Sequence, residues 1–209
     1  VLPANEGRKM NSIKQIEVIY NNRLVGRLAL TREGLCAFEY SAEWLSSGFS
    51  ISPFELPLRS GVFIAKPRPF EGGFGVFDDC LPDGWGLLIL DRYLQQKGIN
   101  PRTLTLLDRL ALVGSTGRGA LEFRPDNSVV TRQDFADFEK LALEAEKILA
   151  SDDYMGEGIE EFQDRGGSPG GARPKIFVRY NDKEWLVKFR AKRDSQSIGV
   201  DEYRYSLLA

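Results

Sequence analysis

The feature that most restricts how this chain folds is an early two-residue alternation. Ile16, Val18 and Tyr20 are separated by polar neighbours, Asn21-Asn22 follows, and Leu24 to Leu30 and Leu35 to Tyr40 continue the pattern. Side chains fall on alternate faces only in extended backbone, and paired asparagines suit a tight turn. Ile13 to Tyr40 therefore predicts an antiparallel meander. Ser46 to Gly75 is dense in Gly, Pro, Ser and Phe with short apolar runs, which predicts irregular connections and one further strand near Gly61 to Ala65.

From Leu81 the period changes. Asp83 is placed to cap a helix with apolar positions Leu87, Leu88, Leu90 and Leu94 and a stop at Gly98. A second helix is expected from Arg102 to Val113, closed at Gly114, and Ala120 to Phe123 then read as a strand. Thr131-Arg132-Gln133-Asp134 looks like a capping box, opening a helix in which Phe135, Phe138, Leu141, Ala142, Ala145, Ile148 and Leu149 keep helical spacing to about Ala150. Asp134-Phe135 and Asp137-Phe138 lack the glycine of a DFG motif and are assigned to capping and packing. Asp152 to Gly167 reads as an acidic loop. Lys175 to Tyr180 and Glu184 to Arg190 form a hairpin around Asn181-Asp182-Lys183, followed by a polar loop and a helix with Tyr203, Leu207 and Leu208 as its apolar positions. Ending on Leu-Leu-Ala without a cap, that helix reads as cut rather than finished. Strands lead and helices follow, so the fold class is α+β.

The 209 residues, 42% apolar and 28% charged, are enough for one large core or two small ones. No run approaches the roughly 18 apolar residues of a membrane span, and the N-terminus lacks a signal-peptide pattern, so the expected location is cytoplasmic with no membrane partner. Residues 1–9 read as an extension or scar ahead of Met10. Cys36 and Cys80 form no CxxC pair and are read as two small buried apolar residues. Histidine is absent, which excludes Ser-His-Asp and Cys-His catalysis, HExxH zinc chemistry and an HRD loop from these residues. Net charge is −2, yet Asp134 to Asp164 holds 11 acidic residues against two basic ones, and Arg165 to Arg193 holds nine basic against two acidic. The basic stretch is either a solvated hairpin or a surface that meets polyphosphate.

The candidate site begins at Gly166-Gly167-Ser168-Pro169-Gly170-Gly171-Ala172-Arg173-Pro174-Lys175. Glycines let backbone N–H groups approach an anion, and arginine and lysine add positive charge. Neither a Walker A motif nor GxGxxG can be read here, so the pattern alone leaves both a phosphate loop and a Gly/Pro linker open. The order that follows is that of a kinase N-lobe: a glycine-rich turn, a hairpin with Lys188 near its end, and Glu202 on the next helix. Lys188 stands between apolar Val187 and Phe189, so a phosphate-contacting lysine and an exposed strand lysine are both readings. Asp201 rivals Glu202 as its partner.

Ser168 to Lys175 resembles the phosphate loop of HipA-type kinases, the toxins of HipA/HipB toxin-antitoxin pairs, and Trp185-Leu186-Val187-Lys188-Phe189 resembles their ATP-lysine strand. Tyr40 to Leu45, Phe77 to Asp83, and Leu110 to Gly114 with Gly119-Ala120-Leu121 look like landmarks of that family's N-terminal subdomain. The resemblance implies a HipA N-terminal subdomain over 10–127 and a partial kinase N-lobe, a β-hairpin plus helices, over 128–209. It implies ATP phosphates held by Gly170, Gly171, Ala172, Arg173, Lys175 and Lys188, with Glu202 positioning the lysine and Ser168 as an autophosphorylated residue. Pro169, Arg173 and Pro174 depart from the family's loop. By the same resemblance the whole protein is an ATP- and magnesium-dependent serine/threonine protein kinase that modifies a protein such as an aminoacyl-tRNA synthetase. Its antitoxin partner is of helix-turn-helix type and provides the only link to DNA.

No D-x-x-x-x-N or DFG occurs in the 209 residues, so the magnesium ligands are expected downstream of residue 209 and the segment alone is expected to be inactive. The alternative is a non-enzymatic regulatory module binding a kinase or antitoxin. A nucleic-acid-binding role for the basic stretch has no motif behind it.

Overall fold

In a computed structural model of the chain, residues 12–128, 136–166, 171–191 and 193–208 are described. The fold is α+β, and the described residues divide into one unit within 1–82 and 94–130 and another within 83–93 and 131–209.

The first unit is built on the meander. Strands β1 (Gln15–Tyr20), β2 (Arg23–Leu30), β3 (Cys36–Tyr40), β4 (Val62–Ile64) and β5 (Glu122–Arg124) form an antiparallel sheet in the order β4-β3-β2-β1-β5. Asn21 and Asn22 both take positive φ, 47° and 59°, the turn that matches the twist of a two-residue hairpin. Alternation turns Ile16, Val18, Val25, Leu28, Phe38 and Tyr40 into one core with Phe77, Leu107, Leu110 and Phe123. Around it lie helices α1 (Ala42–Ser47), α2 (Gly75–Asp78) and α4 (Leu106–Val113). The expected helix from Arg102 is shorter than its pattern: Pro101–Thr103 is a 3-10 turn, and α4 begins only where Thr105 and Asp108 make a reciprocal capping box. Cys36 and Cys80 are free, and burial pushes both thiols up to about 11.

The second unit takes the first part of α3 (Gly84–Gln96) together with α5 (Phe138–Ala150), α6 (Gly158–Gly166), the hairpin of β6 (Lys175–Tyr180) and β7 (Lys183–Lys188), and α7 (Ile198–Leu208). Its core gathers Trp85, Ile89, Leu141, Ala145, Ile148, Ile159, Phe162, Ile176, Val178 and Phe189. In α3, Leu90 and Leu94 are buried as expected, joined by Trp85 and Ile89, whereas Leu87 is exposed. The capping box expected at Thr131 lies outside the described residues; α5 starts at Phe138, with Asp137 accepting from Lys140 N–H. The acidic loop expected over 152–167 is largely helix, because Ile159, Phe162 and Arg165 recur at helical spacing and are buried. On α7 the expected apolar positions Tyr203, Leu207 and Leu208 are exposed. No described helix is long and apolar enough to cross a membrane.

Candidate functional site

The candidate residues gather where the hairpin ends. In the β6–β7 register Lys175 lies opposite Lys188 and Ile176 opposite Val187, so the two lysines share the face turned away from Ile176. Like charges directly opposite one another are unfavourable unless something offsets them. Lys188 Nζ donates to Glu202 Oε2 at 2.8 Å, and Lys175 Nζ donates to the Gly171 carbonyl at 3.2 Å.

Glu202 serves two cations. Its Oε1 accepts from Arg173 Nη1 at 2.6 Å, while Arg173 Nη2 reaches Asp194 Oδ1 at 3.1 Å. One carboxylate on α7 thus joins the arginine of the glycine-rich segment to the strand lysine. The rival Asp201 is engaged elsewhere, accepting from Ser197 Oγ at 2.8 Å near the start of α7. The hydrogen bond from Lys188 holds the Glu202 carboxyl below its ordinary value, with Lys188 and Arg173 charges adding to it and burial and Asp194 opposing. Burial lowers the Lys175 ammonium; Lys188 and Arg173 push the same way and Asp83 opposes.

Gly171 adopts φ +88°, a conformation that favours glycine. Its N–H donates to Asp83 Oδ1 at 2.7 Å, so the side chain expected to cap α3 is directed at the loop. Ala172 is exposed beside it. Ser168 and Gly170 lie outside the described residues. Asp83 and Asp194 are the site residues that sequence reasoning missed: Asp83 carried the signature of a helix cap, and Asp194 sits in a polar loop without periodicity.

The arrangement gathers three cations beside a glycine turn, the partly exposed Arg173 and Lys188 and the buried Lys175, a combination that suits a phosphate-bearing ligand. The described residues include no group of three or more Asp, Glu or Cys placed to hold a metal ion. A groove of about 390 Å³ is lined by Phe138, Val178, Arg179, Tyr180, Trp185 and Val187, and contains none of Arg173, Lys175 and Lys188.

A family model described as HipA N-terminal domain matches residues 16–124, just over half of the chain. No curated protein matches the chain at a significant level. The matched span runs from β1 to β5 and so takes in the five-stranded sheet, whereas the hairpin and α7 lie beyond it. The chain belongs to the HipA N-terminal domain family.

Proposed function

We propose that the chain supplies the nucleotide-phosphate contacts of a HipA-type serine/threonine protein kinase. The observation that carries this reading is the Lys188–Glu202 pair at 2.8 Å, a strand lysine held by the carboxylate of the following helix. ATP supplies the transferable phosphoryl group, and magnesium ligands are expected from residues past 209. Lys188 and Arg173 keep about half-exposed side chains, so both can turn toward an anion without leaving a buried charge. Lys175, opposite Lys188, has its repulsion relieved by the same anion. In this proposal Gly170, Gly171 and Ala172, by their small size, leave room for the phosphates to approach, and Ser168 is the site of autophosphorylation; the added negative charge would compete with a bound phosphate. HipA proteins operate in toxin-antitoxin pairs, and a helix-turn-helix antitoxin and a protein substrate of the aminoacyl-tRNA synthetase kind belong to the same proposal.

The decisive measurement is titration of the purified chain with a fluorescent ATP analogue. The chain is expected to bind the analogue without transferring phosphate, and Lys188→Ala is expected to weaken binding by tenfold or more. Equal binding by wild type and variant would remove Lys188 from the site. In a longer protein that carries a catalytic loop, the same substitution is expected to abolish phosphorylation.

A second reading, an interaction module without turnover, is favoured by the exposed apolar side chains of β7 and α7, among them Trp185, Leu186, Tyr203 and Leu207. Failure to bind the analogue together with stable association with the antitoxin would select it.

A further inference from the structure

Asp83, Gly84 and Trp85, at the start of α3, take up both backbone groups of one loop glycine. The Asp83 carboxylate accepts from Gly171 N–H at 2.7 Å, and Trp85 N–H donates to the Gly171 carbonyl at 3.1 Å. The same carbonyl also accepts from Lys175 Nζ. Gly84 makes this approach possible: it has φ +45°, and a β-carbon there would lie 2.7 Å from the Gly171 carbonyl carbon and oxygen and 2.9 Å from Ala172 N. Real β-carbons essentially never come so near backbone, so any side chain at 84 would force the two segments apart.

The anchor has a directional consequence. With Gly171 held, the next four residues run straight into β6, bringing Arg173 to Glu202 and Lys175 opposite Lys188. The Gly171 N–H, the group a glycine-rich loop would ordinarily offer to a phosphate, is already committed to a carboxylate. We propose that Asp83, seated by Gly84, is a positioning residue for the phosphate loop: it fixes Gly171 so that the side chains of Arg173, Lys175 and Lys188, rather than the Gly171 amide, meet the phosphates. This inference rests on the nucleotide reading above and adds to it a residue that lies 88 positions before the loop.

The test combines two readouts on the intact chain, hydrogen–deuterium exchange at Gly171 and affinity for the ATP analogue, in wild type, Asp83→Ala, Asp83→Asn and Lys188→Ala. Asp83→Ala is expected to speed Gly171 exchange at least tenfold and to weaken the analogue about threefold to tenfold, the range of one hydrogen bond, with the thermal midpoint unmoved. Asp83→Asn keeps an acceptor oxygen and is expected to restore the protection and most of the affinity, a rescue that general loss of structure would not show. Unchanged Gly171 exchange in Asp83→Ala overturns the anchor. Faster exchange with unchanged affinity overturns the positioning role. If wild type binds no analogue, the nucleotide reading falls and with it the positioning role, while the exchange arm still decides the anchor. Gly84→Ala, acting through backbone collision at positive φ, is expected to speed Gly171 exchange and weaken the analogue as Asp83→Ala does, and in addition to lower the thermal midpoint.

Discussion

Two lysines facing each other across a hairpin are an electrostatic liability, and the surrounding residues show how it is contained. Glu202 takes the charge of Lys188 with one oxygen and that of Arg173 with the other. Glu202→Gln is expected to free both cations and to weaken analogue binding severalfold, while the thermal midpoint stays where it is because exposed ion pairs add little to stability. A second carboxylate, Glu144, does carry a stability consequence. Hydrogen bonds from Lys147 and then Tyr154 hold its carboxyl below the ordinary 4.5, against burial. A depressed carboxyl means that the unfolded state binds more protons as the medium turns acid. The contribution is therefore complete above about pH 4.5 and is lost as pH falls through the lowered value. Urea midpoints measured across that window should fall more steeply for wild type than for Glu144→Gln; parallel curves would show that the pair is not coupled to folding. Lys188 and Glu202 were legible as a spaced lysine and glutamate, but spacing alone could not separate Glu202 from Asp201. Ser197 separates them, because its hydroxyl engages Asp201.

At the scale of elements, local rules explain most of what forms and long-range packing explains the exceptions. Both hairpins turn on two residues at positive φ, Asn21-Asn22 and Asn181-Asp182; the first was visible as an asparagine pair, the second within the polar turn Asn181-Asp182-Lys183, of which Lys183 opens β7. Helix α5 has a single-residue cap, Asp137, whose carboxylate accepts from Lys140 N–H at 3.0 Å. Asp137→Ala is expected to destabilise the second unit by about 1 kcal/mol, read as a shift in its urea midpoint. Helix α6 was not visible, since its surface is so acidic that the buried side chains Ile159, Phe162 and Arg165 were outweighed by their neighbours. In α3 the leucine pattern was partly right: Leu90 and Leu94 are buried and Leu87 is exposed, whereas Trp85 and Ile89, which the pattern did not name, also enter the core.

Across the molecule, each unit has its own aromatic centre. Phe38 meets Tyr40 and Phe77 edge-on or tilted at 4.9 and 5.5 Å in the first, and Phe162 meets Trp85 and Phe189 at 5.0 and 5.8 Å in the second. Both phenylalanines are fully buried, so Phe38→Ala is expected to cost the first unit about 3–5 kcal/mol, seen as lost amide protection in β1 to β3. The α+β class, the meander, the second hairpin and the loop-lysine-glutamate order were determined by the sequence itself, because alternation, turn residues and helical spacing act over a few neighbours. What only the tertiary structure decided is which carboxylates meet the glycine-rich segment. Asp83 reaches Gly171 across 88 positions and Asp194 reaches Arg173 across 21, and no local pattern encodes such a distance. The first pairing follows from the packing of α3, α6 and the hairpin into one core, which brings the expected helix cap Asp83 within hydrogen-bond reach of a distant loop.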